Sequence, residues 1–193
     1  SLGLVGSEMC IRDRASGALL WKRHRLPAVG ELIGDDEFLC LCPRDGKQAT
    51  VLATGDGRLV RQCTLPPQQV RVAVCGRRFV AITSPPNAEA VGLEWFDPAR
   101  DQRVSLGAFS PAARAAQAGP ETLAVLEPDG ALTLVDLALG TVRFRTVLSA
   151  MPSGLESLHV VPWHDRLLVF AGRRETVQEP VSYTHLRAHE TEA

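Results

Sequence analysis

Aromatic residues make up only 5% of the 193-residue sequence, and there is a single tyrosine. An excess of one charge is missing too, because 21 Lys+Arg stand against 22 Asp+Glu for a formal net charge of −1. Such a chain has no basic footprint for tracking a nucleic-acid backbone, and its balance points to no partner by electrostatic steering. No apolar run is long enough for a membrane-spanning helix. Long amphipathic helical patterns are also missing. The one Ala-rich stretch, Pro111 to Ala118, is short and is closed by Gly119-Pro120, so it reads as a loop or a short outer strand. The sequence holds no nucleophile elbow, phosphate-binding loop or dinucleotide fingerprint. What remains, 45% hydrophobic and 22% charged, is an ordinary globular composition.

The two ends mirror each other at the nucleic-acid level. Leu4 to Asp13 can be back-translated so that the reverse complement encodes Val181 to Glu190, and the pairing extends outward to Ser1 with Ala193. Selection on a fold has no reason to produce this, whereas a ligated oligonucleotide does so automatically. The segment resembles a translated transposase-type adapter of sequencing libraries. Residues 1–13 and 181–193 are therefore expected to be adapter-derived and not native, with the native chain continuing beyond both ends. His185 and His189, at a spacing that suits metal ligation on a helix, fall under the same exclusion, as do Met9 and Cys10. The remaining 167 residues, Arg14 to Pro180, carry 19 basic and 18 acidic residues.

Within that stretch, short apolar runs rich in β-branched residues dominate, among them Phe38–Cys42, Thr50–Ala53, Arg78–Thr83, Leu123–Leu126, Leu132–Val135, Thr141–Val147 and Arg166–Phe170. Their length and composition predict strands. Pro43-Arg44-Asp45-Gly46, Thr54-Gly55-Asp56-Gly57, Pro128-Asp129-Gly130 and Leu139-Gly140 supply the turn chemistry between them. Ser16-Gly17, Thr54-Gly55 and Leu139-Gly140 each open a last strand, and Arg100-Asp101 stands in the equivalent place of another unit. From Gly17 to Gly55, Asp101 and Gly140 the intervals are 38, 46 and 39 residues. Four strands per roughly forty residues is the period of a propeller blade.

A strand ending in Asp, a Gly turn, then an apolar residue and Trp resembles the blade repeat of PQQ-like (quinoprotein-like) β-propellers. Ser16-Gly17-Ala18-Leu19-Leu20-Trp21 is one copy. Val135-Asp136-Leu137-Ala138-Leu139-Gly140 with Phe144 is a second, and Thr54-Gly55 with Leu59 a third, in which Val51 stands where the Asp belongs. Asp97 to Asp101 has lost the Gly, and no unit opens with Gly-His or ends with Trp-Asp as WD-type repeats do. The resemblance implies an all-β fold, a partial β-propeller of four-stranded antiparallel blades with about three complete blades and two partial ones. It also implies that Gly17, Gly55, Asp136 and Gly140 shape the turns, while Trp21, Leu59 and Phe144 pack between blades.

The expected organisation follows. Residues 14–27 are the last strand of a truncated blade. Residues 28–67, 68–110 and 111–150 are blades, and 151–180 begin a further one. An array of this kind buries its faces only against neighbours, so the isolated chain is expected to be aggregation-prone, with apolar faces and strand edges uncovered at its ends.

Chemistry-bearing residues are few. Cys40 and Cys42 point to one face of a strand and lack the Cys-x-x-Cys turn spacing of a zinc site. With Cys63 and Cys75 they read as small apolar core residues, an inter-strand disulfide remaining open in an oxidising compartment. His159, Trp163, His164 and Asp165 read as a hairpin turn. His24 belongs to a solvated face with Lys22, Arg23 and Arg25. Arg77-Arg78 and Arg173-Arg174 are basic pairs at turn edges. The resemblance offers two functions, a non-catalytic binding or scaffolding module or a piece of a quinone- and calcium-dependent dehydrogenase. Such dehydrogenases use a vicinal Cys pair that this sequence lacks, so no catalytic, cofactor-binding or metal residue is assigned. Protein partners are expected on loops such as Pro43–Lys47 and Pro85–Gly92, without nucleic acid or membrane insertion. By resemblance the origin is bacterial and the location periplasm or cell envelope.

Overall fold

The computed structural model describes residues 8–24, 26, 29–43, 48–84, 88–149, 154–164, 166–172 and 185–187. The alternating and apolar runs all form strands, and the only helical segment among these residues is a 3₁₀ turn at Gln68–Val70. Strands β1 (Glu8–Arg12) and β2 (Leu19–His24) form a first, two-stranded sheet. The second sheet holds β3 (Val29–Gly34), β4 (Phe38–Pro43), β5 (Ala49–Ala53) and β6 (Leu59–Cys63). The third holds β7 (Arg71–Cys75), β8 (Arg78–Ile82), β9 (Val91–Asp97) and β10 (Gln102–Phe109). The fourth holds β11 (Arg114–Gln117), β12 (Thr122–Leu126), β13 (Ala131–Asp136) and β14 (Thr141–Val147). In the fifth, β15 (Ser157–Trp163), β16 (Arg166–Gly172) and β17 (His185–Arg187) run side by side. In every sheet, strands adjacent in sequence are hydrogen-bonded neighbours. The chain is thus all-β, a partial β-propeller of three complete four-stranded blades and two partial ones. The Ala-rich stretch supplies the short outlying strand β11.

Cα packing divides the chain into two compact units. One comprises Ser1–Arg71, Gly76–Phe79 and Phe96–Arg103; the other comprises Val72–Cys75, Val80–Trp95 and Val104–Ala193. In the first, Met9, Trp21, Leu41 and Leu52 form a buried cluster that joins the first sheet to the second. In the second unit, one cluster packs Val80, Leu93, Trp95 and Leu106 against Leu123, Val125, Val135 and Leu137. Another packs Ala124, Leu126, Leu132 and Leu134 against Leu158, Val160 and Val169. The fourth sheet is therefore covered on both faces. Its middle strands β12 and β13 are buried almost throughout, which is why they read as unbroken apolar runs where a half-buried strand would alternate. The last strand β14 alternates exposed and half-buried residues. Each buried Leu or Val contributes about 1.5–3 kcal/mol, so these clusters dominate the stability of the sheets they join.

Side chains reinforce the first strands of consecutive blades. Arg71 Nη1 lies 2.7 Å from Glu31 Oε2. The Gln117 amide donates to the Val74 carbonyl at 3.0 Å and accepts from the Val74 amide at 3.4 Å, pairing both backbone groups of one edge residue. Arg114 Nε donates to the Glu156 carbonyl at 3.1 Å.

Candidate functional site

Three of the four turns leading into a last strand are built the same way: an Asp side chain accepts the backbone amides two and three residues on, as short polar side chains do in turns. Asp136 accepts from Ala138 at 2.8 Å and Leu139 at 2.9 Å, and Asp97 from Ala99 at 3.0 Å. Asp13 accepts from Ser16 at 2.6 Å and also takes its hydroxyl at 2.7 Å. The fifth residue closes the corner by donating its amide to the carbonyl of the first. Gly17 donates to Asp13 at 2.9 Å, Gly57 to Ala53 at 2.9 Å and Gly140 to Asp136 at 2.8 Å. At that position φ is +69° for Gly17, +69° for Gly57 and +70° for Gly140, the left-handed region that a Cβ penalises. Asp101 holds the same place at φ +54°.

The second corner closes two residues further along the chain than the sequence suggested. The sequence reading placed the second corner at Gly55 because Thr-Gly matches Ser-Gly, but the positive φ and the ring closure belong to Gly57. Ala53, not Val51, then stands at the Asp position, and the corners recur at 40, 44 and 39 residues. The side chain four residues past the corner becomes Arg61, while Leu59 is 43% exposed.

Two of the side chains four residues past a corner, Trp21 and Arg61, reach the next corner. Trp21 lies over Gly57, where a Cβ would sit 2.6 Å from the indole, and its Nε1–H donates to the Thr54 carbonyl at 2.6 Å. Arg61 Nη1 pairs with Asp101 Oδ2 at 2.7 Å. Gly140 is covered by Trp95, with a Cβ position 2.5 Å from the indole, whose Nε1–H donates to the Leu137 carbonyl at 2.7 Å. Trp95 was not foreseen. It stands two residues before Asp97, the place held by Ile11, Val51 and Leu134 in the other blades. Those three pair across the strands with Trp21, Arg61 and Phe144, so the place of Trp95 is the one facing the expected wedge. Phe144 is half-buried against the cluster shared by the fourth and fifth sheets. Asp136, besides shaping its turn, receives Arg143 Nε at 2.7 Å. Burial works against its charge, yet the Leu139 amide and Arg143 hold its carboxyl below the usual range.

The strongest charge constellation is one the sequence reading passed over as a basic pair. Arg77, in the turn between β7 and β8, is 1% exposed. Its Nε donates to Asp97 Oδ1 at 3.0 Å, and its Nη1 to Asp35 Oδ2 at 2.6 Å and Glu37 Oε2 at 3.2 Å. Arg78 Nε adds a bond to Asp97 at 3.3 Å, and the Arg77 guanidinium lies 4.6 Å over the Phe38 ring. Burial alone would raise the Asp97 pKa, but the Arg77 hydrogen bonds and charge outweigh it and keep the carboxyl below its ordinary range. Held ionised and fully paired, Asp97 is a poor proton acceptor, so the constellation serves as a staple rather than as acid–base machinery.

The remaining candidates separate. Cys40, Cys42 and Cys63 are buried on the second sheet, and no disulfide joins any of the five cysteines. Burial pushes the Cys63 thiol up to about 11 and raises Cys40 and Cys42 as well, which leaves few thiolates at neutral pH. His24 and His159 are exposed. His164 has φ +55° and its ring lies 5.2 Å from that of Trp163. Asp165, Arg25, Arg173-Arg174, His189 and the tips of both loops expected to bind partners (44–47 and 85–87) lie outside the described residues, and His185 lies on β17. Among the described residues no group of three His, Cys, Asp or Glu is placed to hold a metal ion, and no helix is long and apolar enough to cross a membrane. A shallow groove of about 350 Å³ is lined by Phe109, Glu127, Thr133, Arg145 and Val147.

No family model and no curated protein matches the sequence. Solved structures similar to the chain include Hsv2 of Kluyveromyces lactis, at 11% identity and TM-score 0.46, covering 86% of this chain and 52% of that one. An uncharacterised protein of Listeria monocytogenes is similar at 14% identity and TM-score 0.47, with 88% and 57% coverage. BamB of Moraxella catarrhalis is similar at 13% identity and TM-score 0.31, with 96% and 63% coverage. The chain spans about half the length of the first of these.

Proposed function

We propose that the chain is part of a PQQ-like β-propeller that works as a non-catalytic binding or scaffolding module, its partner proteins docking on the loops that join the strands. The observation carrying this reading is the use to which the reactive side chains are put. Asp97, Asp136, Arg77 and Arg143 are spent on turns and seams, and the Cys40, Cys42 and Cys63 thiols are buried. What the scaffold leaves for recognition is loop surface, the usual carrier of function on a rigid frame. A bacterial envelope location belongs to the same proposal, as does the adapter origin of residues 1–13 and 181–193. Sequencing the source DNA across Arg14 and Pro180 tests the adapter origin.

The functional test has two arms. Replacing residues 44–47 or 85–90 by Gly-Ser linkers should abolish retention of the binding partner while leaving the circular dichroism spectrum unchanged. The full-length protein supplied with pyrroloquinoline quinone and calcium should show no dye-linked alcohol oxidation. Turnover in that assay would replace the scaffold reading with the dehydrogenase one.

A further inference from the structure

We infer that the groove between the outer strands of the third and fourth sheets receives a peptide segment of a partner protein, one in which a carboxylate stands beside an apolar side chain. This rests on the reading of the chain as a binding module. Five arginines stand on the last strands of the first four sheets: Arg23, Arg61, Arg103, Arg143 and Arg145. Four of them hold the scaffold together. Arg23 donates to the Gly57 carbonyl and Arg103 to that of Thr64, while Arg61 pairs with Asp101 and Arg143 with Asp136. Arg145 is exposed, and no described residue pairs with it. It is also the one of the five that lines the groove.

The groove is a gap that the scaffold does not close. At the corner end of this seam Trp95 lies over Gly140. Toward the other end the third sheet has no large side chain to match. Exposed Ser105 stands four residues past its corner, in the place of Trp21 and Phe144, and Gly107 and Ala108 follow. Gly107 has φ +110°, and its Cβ position lies 4.0 Å from Arg145 Nη2, so a larger residue there would crowd the guanidinium. Phe109, Leu132 and Val147 give the opening of about 350 Å³ its apolar walls. Glu127, on the same wall, accepts the Ser110 amide at 2.9 Å on one oxygen and keeps the other for a main-chain amide. The volume is at the small end for ligand sites, room for a side chain or two and not for a domain. An apolar side chain fills it, and a carboxylate next along the segment meets the planar fork of Arg145. The outer edge of β14, the terminal strand of its sheet, is open to an added strand. A second copy pairing there would set Arg143 and Arg145 against their own kind, whereas an acidic segment is complementary.

The test uses the full chain and a fluorescein-labelled hexapeptide that alternates leucine and glutamate, followed by fluorescence anisotropy. The wild type should bind it saturably. Binding should weaken about tenfold or more in Arg145→Gln, which loses a charge-assisted contact. The same loss is expected when glutamine replaces glutamate in the peptide. Ala108→Trp, at an exposed position on the groove wall, should block entry to a similar extent. Arg100→Gln removes another exposed charge away from the groove and should bind as the wild type does. Arg145→Glu should prefer a peptide with lysine in place of glutamate. Absence of saturable binding by the wild type overturns the inference. So does an Arg145→Gln or Ala108→Trp variant that binds as the wild type, an Arg100→Gln variant that weakens as much as Arg145→Gln, or a glutamine peptide bound as tightly as the glutamate one. Any of these leaves the module reading standing while the replacements at 44–47 and 85–90 release the partner, and dye-linked turnover removes that reading instead.

Discussion

Two corners of the same unit solve one problem with opposite chemistry. At Gly57 the neighbouring blade contributes the flat face of Trp21, so the corner must be glycine twice over: its φ is +69° and a methyl would enter the indole. At Asp101 the neighbouring blade contributes Arg61, and the corner carries a carboxylate that keeps a left-handed backbone without glycine. Asp is among the few residues that tolerate this conformation. The apparent defect of the third repeat, a missing glycine, is thus one half of an exchanged pair. The seams differ in strength for the same reason. An indole buried on a backbone and hydrogen-bonded to it is a packing contact, while a half-exposed Arg–Asp pair is worth at most about 1 kcal/mol.

The largest expected effect lies at the buried staple between these corners. Arg77→Met removes the cation that Asp97, Asp35 and Glu37 share, and breaking a buried pair costs about 3–5 kcal/mol. The melting temperature followed by circular dichroism should fall by roughly 10 °C or more. Gly57→Ala or Gly140→Ala comes next, with a strain of about 1–2 kcal/mol for the backbone and a further cost of about 1–3 kcal/mol for the overlap. Gly55→Ala, two residues from Gly57 and with nothing near its Cβ position, should leave the melting temperature within error of the wild type. A pH series sharpens the contrast. The depressed Asp97 pKa contributes stability that is present above its ordinary value of 3.8 and lost as pH falls through the folded value below it. Asp97→Asn should therefore be destabilised at neutral pH and lose less than the wild type on acidification below 3.8, as read by urea midpoints. Arg61→Ala should have the smallest effect, below about 1 kcal/mol and diminished by salt. The paired change Arg61→Trp with Asp101→Gly should exceed either single change in stability if the seams are interchangeable.

The strand pattern, the four-strand repeat and the corner chemistry were legible because they are local. Asp-Gly and Pro-Asp-Gly turns mark their positions directly, and a doubly covered strand such as Leu132–Val135 announces itself by its unbroken apolar run. Register within the second corner was not legible. Gly55 and Gly57 are both plausible by residue type, and the positive φ of Gly57 together with its ring closure to Ala53 separates them. Trp95 escaped notice because it reaches its glycine from the strand opposite the expected one. A count of residues before the corner Asp, where Ile11, Val51 and Leu134 also stand, is the signal that could have found it. The Arg77 constellation joins residues 42 and 20 positions apart. A turn-edge arginine read alone looks solvated until the fold brings three carboxylates around it.

The thiols of the second sheet have a use that follows from their burial. Cys40 and Cys42 sit on a central strand and Cys63 on the last one, all shut away from solvent with their ionisation suppressed. A small alkylating reagent can reach them only when that sheet opens. Their labelling rates, measured one cysteine at a time by mass spectrometry, give the opening frequency of a single blade within the intact chain, with the edge strand expected to yield before the middle one.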